Sequence, residues 1–288
     1  MSKKKIYNLR PEQMCFFDEF RSIGTRRADE MFHLMINFIR ETFEKKGKKK
    51  VVLGLSGGAD SALVAYLSVQ ALGKENVLAV KMPYRGLSSD SSIVDANLVI
   101  EALDIPEENV YEIPINRSSD ADAKELIECG LKLEDVDIGN IMARSRMIKL
   151  FAIARIWNAL VIDTCNRTEI KLGYLTIGGD GLSNLNPVYG VYKTWVWELL
   201  KATKVIPMRI VEKPASAELA KDQTDEGDLG ISYYAVDLLL WLYFDRNISQ
   251  KDLTTKYYYP EEIVRMVLSR AEKNKFKDEP VPVCEMIY

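Results

Sequence analysis

"VVLGLSGGADSALVAYL", residues 51–67, decides the architecture of this 288-residue chain. The first apolar run has the length and β-branching of a buried strand, and the second the length of a helix closed by Gly73. A helix start leaves N–H groups unpaired and carries partial positive charge, so the Ser-Gly-Gly loop between the runs is suited to an anion. Gly57 and Gly58 are expected to take positive φ and let the backbone approach that anion, while Ser56 and Ser61 add hydroxyl donors. Asp60 fits beside a polyphosphate only if a divalent cation such as Mg²⁺ bridges the two. A capped turn with no ligand is the alternative; the strand, the serines and the aspartate together favour a nucleotide site.

Outward from this loop the chain alternates. "NVLAVKMP" (76–83), "NVYEIPI" (109–115) and "LVIDT" (160–164) read as strands. "SSIVDANLVIEAL" (91–103), "GNIMARSRMIKLFAIARIWNA" (139–159) and "YKTWVWELLKAT" (192–203) read as helices. The fold class is α/β: a Rossmann-like, doubly wound parallel sheet flanked by helices. Right-handed crossovers then bring "SGGADS" (56–61), "KMPYRGLSSDSS" (81–92) and "DTCNRTE" (163–169) to one rim, at the carboxyl ends of the strands. One domain over 1–288 is expected, with residues 1–25 as an N-terminal extension. Residues 231–288 read as a helical segment and tail that serves packing or an interface, with no chemistry visible in its composition.

Composition narrows the class. A net charge of −3 argues against a general nucleic-acid binder, and the basic run at 45–50 reads as a solvated helix end. Cys15, Cys129, Cys165 and Cys284 form no CxxC pair, and with His33 alone there is no set for structural zinc. Disulfides are not expected at this size, so the cytoplasm is the expected compartment. "VDLLLWLYF" (236–244) is too short to span a bilayer and contains Asp237, so no membrane role is expected.

"SGGADS" is neither a Walker A loop nor a GxGxxG fingerprint. It resembles the SGGxDS loop of the ATP pyrophosphatases, which cleave ATP between its α and β phosphates. Five further motifs occur in order: "GNIMARSRM" (139–147), "TCNRTEIKLGY" (164–174), "GGDG" (178–181), "PVYGVYKTWVWEL" (187–199) and "QTDEGDLGISY" (223–233). Together, over about 25–280, they resemble the NAD synthetase family. The resemblance implies a ligase forming a C–N bond: ATP-dependent amidation of deamido-NAD by ammonia through an acyl-adenylate, releasing AMP and pyrophosphate.

The same resemblance implies site residues. Ser56, Gly57, Gly58, Ala59, Asp60, Ser61, Lys81, Thr164, Lys193 and Ser216 would contact ATP, with Asp60 and Lys193 catalytic. Asp60 and Glu169 would hold Mg²⁺. Arg144 shares a helical face with Ile141, Met147, Ile148 and Phe151. It reads either as a snorkelling surface residue or as an anion clamp, and the resemblance implies a dinucleotide contact. Arg146 reads as a surface residue. "QTDEGDLG" reads as an acidic loop too polar for the core, which in the family can order over the site. A homodimer is implied, with helices such as 141–157 as a candidate interface, and ammonia supplied free or by a separate glutaminase.

The chain departs from the family pattern in the substrate half. Ile177 stands where many ammonia-dependent members have a substrate-binding lysine, and Asn184 where they have an aspartate. Phe276 and Lys277 stand in a substrate-binding segment of which only the lysine is kept. Three readings stay open on sequence: a working NAD synthetase, a catalytically weak nucleotide-binding homologue with a regulatory role, and an amidoligase for a related carboxylate.

Overall fold

The computed structural model describes residues 6–86, 90–216, 224–280 and 282. Four parallel strands, β1 (Lys50–Gly54), β2 (Val77–Lys81), β3 (Val110–Glu112) and β4 (Ala159–Val161), lie in the order β3-β2-β1-β4. The chain therefore builds outward from β1 to β3, then crosses back to place β4 against the other side of β1. That reversal opens a crevice beyond the carboxyl ends of β1 and β4. The register pairs Val51 with Val77 on one side and with Leu160 on the other.

Period-two alternation divides the strand side chains between two apolar layers. Val51, Leu53, Val77, Ala79 and Leu160 face one layer, and Val52, Leu78, Val80 and Val161 the other. The first layer is packed by α1 (Met14–Arg26), α2 (Ala28–Lys45), α3 (Ala59–Leu72) and α8 (Lys193–Thr203). α3 is apolar nearly all round because it lies between the sheet and its helical neighbours; Ala62 to Ala65 are fully buried. α1 belongs to this core: Phe20 is fully buried, and its ring stacks on Trp195 at 5.0 Å between centroids.

α4 (Asp90–Ala102) and α5 (Asn116–Glu128) follow β2 and β3. The second layer is covered by α6 (Asp135–Trp157), which is started by a Glu134/Asp137 capping box and ended by Asn158 in the left-handed region. α7 (Arg167–Leu172), α9 (Met208–Glu212) and α10 (Asp225–Leu229) are short and border the crevice. α11 (Tyr233–Leu240), α12 (Gln250–Thr255) and α13 (Glu261–Asn274) close the fold around α7 and α8. No helix among the described residues is long and apolar enough to cross a membrane.

Candidate active site

The loop after β1 is braced by its own serines. Ser56 N–H donates to Ser61 Oγ at 3.3 Å, Gly58 N–H donates to Ser56 Oγ at 3.2 Å, and Ser61 Oγ–H reaches Gly58 O at 3.1 Å. Gly57 has φ +78°, and a Cβ there would lie 2.4 Å from Ser92 O and 2.9 Å from Ala96 N, because α4 packs against the loop. Only glycine satisfies both conditions. The sequence expectation for Gly58 needs correction: its backbone is extended (φ −91°, ψ 166°), as a helix N-cap residue should be.

Three segments bring charge to this loop. Asp60 lies in the first turn of α3, Glu169 in the first turn of α7, and Lys193 opens α8. Lys193 Nζ donates to Asp60 Oδ2 and lies 3.8 Å from Glu169 Oε1. Asn166 orients both carboxylates. Its Nδ2–H donates to Asp60 Oδ1 at 2.9 Å, and it forms a capping box with Glu169, whose Oε2 accepts Asn166 N–H at 3.1 Å. A third carboxylate, Asp225, accepts from Tyr233 OH at 2.9 Å and Tyr174 OH at 3.3 Å. The Tyr233 ring centroid lies 5.3 Å from Lys193 Nζ.

Burial and charge act against each other in this cluster. Burial alone would lower the Lys193 ammonium, but Asp60, Glu169 and Asp225 outweigh it and raise its pKa above the usual lysine value. Glu169 is pushed well up by burial and then by the charge of Asp60, with Lys193 opposing. Asp225 is raised by burial, again against Lys193. One ammonium among three carboxylates leaves a negative surplus whenever all are ionised. That donor set suits a hard divalent cation, which would remove the surplus. Among the described residues no three such side chains converge closely enough to hold a metal alone, so phosphate oxygens and water would complete its shell.

A buried scaffold sets the lysine. Asp237, fully buried in α11, accepts Thr168 Oγ1–H at 2.6 Å and Thr194 N–H at 2.7 Å, while Lys193 N–H donates to Thr168 Oγ1 at 3.1 Å. The carboxylate thus caps the start of α8 and ties it to α7; burial pushes its pKa up to about 6. Segment 231–240 therefore supports the site, which the reading of the C-terminal part as packing or an interface does not include. "QTDEGDLG" is also corrected: Asp225 and Leu229 are buried, and Asp225 lines the crevice. Residues 217–223, including Gln223, lie outside the described residues.

The crevice holds a cavity of about 300 Å³. Ser56, Gly58, Asp60, Ser61, Lys81, Thr164, Glu169, Lys193 and Ser216 line it, with Gly57 and Ala59 in the same loop. The three segments read as one rim do converge there, although residues 87–89 of the second are not described. The Lys81 ammonium is committed to Asn97 Oδ1 at 2.7 Å and Glu112 Oε2 at 3.1 Å. The residues expected to bind the second substrate are more scattered. Arg144 is exposed, its Nε–H donating to Ile177 O at 3.2 Å, and Ile177 and Phe276 are half-exposed or more. Asn184 Oδ1 accepts Val161 N–H at 2.8 Å and so extends the edge of β4. Lys277 Nζ donates to Gly173 O and Leu175 O at 2.8 and 3.0 Å, tying the C-terminal segment to the turn after α7.

Arg146 corrects the reading of it as a surface residue. It lines the cavity, and its Nε–H donates to Met82 O at 3.1 Å. The side chains used to place Arg144 straddle two sides of α6: Ile148 is 68% exposed, whereas Met147 and Phe151 pack with Met142 and Leu150 toward the sheet. The same wall carries Asp163, Asp180 and Cys165, three groups whose pKa burial raises. A carboxylate inside an apolar run, as in "VDLLLWLYF", was the one sequence signal for the supporting residues, since such a group must find partners.

The reversed parallel sheet, with a polar crevice at its switch point and a Ser-Gly-Gly loop beneath it, defines an α/β protein of the PP-loop fold. The NAD synthase profile matches residues 31–281, and the chain belongs to that family. An NH(3)-dependent NAD(+) synthetase of Fusobacterium nucleatum is 41% identical over 248 residues, 86% of this chain and 92% of the relative. Among solved structures, an NMN synthetase from Francisella tularensis superposes with a TM-score of 0.77 at 27% identity, covering 90% of this chain and 99% of that one. An NH3-dependent NAD synthetase from Campylobacter jejuni gives a TM-score of 0.73 at 30% identity with the same coverage.

Proposed function

We propose that this chain amidates deamido-NAD to NAD with ATP and ammonia, and that Asp60, Glu169 and Lys193 form the ATP-handling part of its site. The observation that carries the reading is the convergence of these three side chains, Lys193 buried and both carboxylates largely so, beneath a serine-braced helix start. In the first step a nicotinate carboxylate oxygen attacks the α-phosphorus, the bond to the bridging oxygen breaks, and pyrophosphate leaves. Ammonia then attacks the acyl carbon, AMP departs with the electron pair of the C–O bond, and nitrogen gives up a proton. The loop N–H groups and Ser56 bind phosphate oxygens, and Lys193 donates to the leaving group as its charge grows. Asp60 and Glu169 would hold Mg²⁺, which neutralises phosphate charge when bound. No side chain needs to become covalently attached, in keeping with a buried Cys165 whose thiol is held protonated.

The substrate pocket supports a second reading, an amidoligase for a related carboxylate. Ile177 supplies no charge to an anionic substrate, and one structural neighbour bears the name NMN synthetase. A homodimer is part of the proposal: Ile148 and Ile156, two turns apart on α6, are 68% and 78% exposed, and a second copy would cover them. The deciding assay incubates purified protein with ATP, Mg²⁺, ammonium and either deamido-NAD or nicotinate mononucleotide, following AMP and the amide. NAD formation supports the first reading, and amidation of the mononucleotide alone supports the second. ATP binding without AMP release from either substrate would leave a nucleotide-binding role. Light scattering after size exclusion tests the dimer.

A further inference from the structure

Lys193 is enclosed by Asp60, Glu169 and Asp225, so much of its charge is already engaged before any polyphosphate arrives. A second cation stands on the other flank of the loop. Lys213, just after α9, lines the same cavity as Ser56, Gly58 and Ser216. Its Nζ donates to Ser92 Oγ at 2.7 Å and lies 3.1 Å from Asp95 Oδ2. Those two α4 residues are 5% and 1% exposed, and they are the ones against which Gly57 packs. Asp95 Oδ1 also lies 2.7 Å from Arg209 Nε. One buried carboxylate therefore orients two cations, and it fixes Lys213 beside the segment of α4 that packs on Gly57.

We infer that Lys213 is a second phosphate-binding cation, acting on the β and γ phosphates of ATP and on departing pyrophosphate, with Asp95 as its positioning residue. The inference rests on the reading of the cavity as an ATP site. Lys193 reaches the loop from the β4 side and Lys213 from the α4 side, so the polyphosphate is gripped from both flanks. Lys213 is also tied to the carboxylate cluster around Lys193: Asp225 N–H donates to Ala215 O at 3.0 Å, two residues beyond it.

The test measures binding rather than turnover. Inorganic pyrophosphate and AMP are titrated calorimetrically, with a chelator present, into the wild type, Lys213→Met, Lys213→Arg and Asp95→Asn. Loss of one charge-assisted phosphate contact should weaken pyrophosphate binding by roughly tenfold in Lys213→Met, with most of the loss restored in Lys213→Arg. Asp95→Asn should fall between the wild type and Lys213→Met, and AMP binding should stay within about twofold throughout. Unchanged pyrophosphate binding in Lys213→Met, an equal loss for AMP, or no pyrophosphate binding by the wild type would overturn the inference. Lys213→Gln carries the same test if the methionine variant does not fold. Lys213-dependent pyrophosphate binding by a protein that releases no AMP from ATP would sink the functional reading and leave this one standing.

Discussion

Replacing Lys193 with methionine strips the buried carboxylate cluster of its cation while leaving the volume nearly unchanged. At 3.8 Å, and with an effective dielectric constant of about 20, the attraction to Glu169 alone is about 4 kcal/mol before desolvation is counted. Asp60 is closer still. Removing one partner of a buried pair costs about 3–5 kcal/mol, because the charge left behind, here with 15–16% of its side-chain surface exposed, keeps little water and no counterion. Here the cost must depend on pH. Glu169 and Asp225 already have raised pKa values, and without the ammonium they rise further. A raised carboxyl favours the protonated native state, so its contribution to stability is present at low pH and lost as pH climbs through the folded value. Urea unfolding of Lys193→Met should therefore show a deficit of about 3–5 kcal/mol at pH 8 and less than about half of that at pH 5. In thermal scans at pH 8 the midpoint should fall by roughly 10 °C. Millimolar Mg²⁺ should stabilise the variant more than the wild type, since the cation can take the place of the ammonium. A deficit below about 1 kcal/mol, or one that is the same at both pH values, would refute the picture of a coupled buried cluster.

Three further outcomes follow from neighbouring residues. Glu169→Gln keeps the acceptor that completes the α7 capping box, so stability should stay within about 1 kcal/mol, whereas turnover should fall by at least roughly a hundredfold; turnover within about threefold of wild type would remove Glu169 from the metal site. Gly57→Ala puts a methyl group 2.4 Å from Ser92 O at positive φ, which should cost about 2 kcal/mol or more and weaken ATP binding, read by denaturation and calorimetry. Asp237 has its pKa raised to about 6 from 3.8, so stability owed to its protonated form drains away between about pH 4 and pH 6, by about 3 kcal/mol in total. Against Asp237→Asn, the wild-type unfolding free energy should decline across that window, and parallel curves for the two proteins would show that the group does not titrate there.

The legible part of the chain was whatever is encoded within one turn or one strand. Strand–loop–helix alternation, the glycine-rich loop and Asp60 depend on neighbours a few residues away, so the parallel sheet and its rim could be read directly. Arg144 and Arg146 show where that reading stops. α6 is apolar on two sides, one packed on the sheet and one outward, and periodicity alone does not say which side meets the core. The residues grouped with Arg144 straddle both sides, and that grouping does not pick out Arg146, the arginine that lines the cavity.

Sequence by itself determined the fold class, the family and the glycine-rich loop at the rim, because each is written in short-range pattern and ordered motifs. Only the tertiary structure decided which charges share a dielectric environment. Lys193 lies 133 residues from Asp60, and Asp237 reaches 69 residues back to Thr168. Asp225 sits in a stretch that reads as solvated loop yet is buried against two tyrosines. Pairing across such distances comes from the packing of α7, α8 and α11 around one crevice. The desolvation that shifts those pKa values exists only once that packing has excluded water.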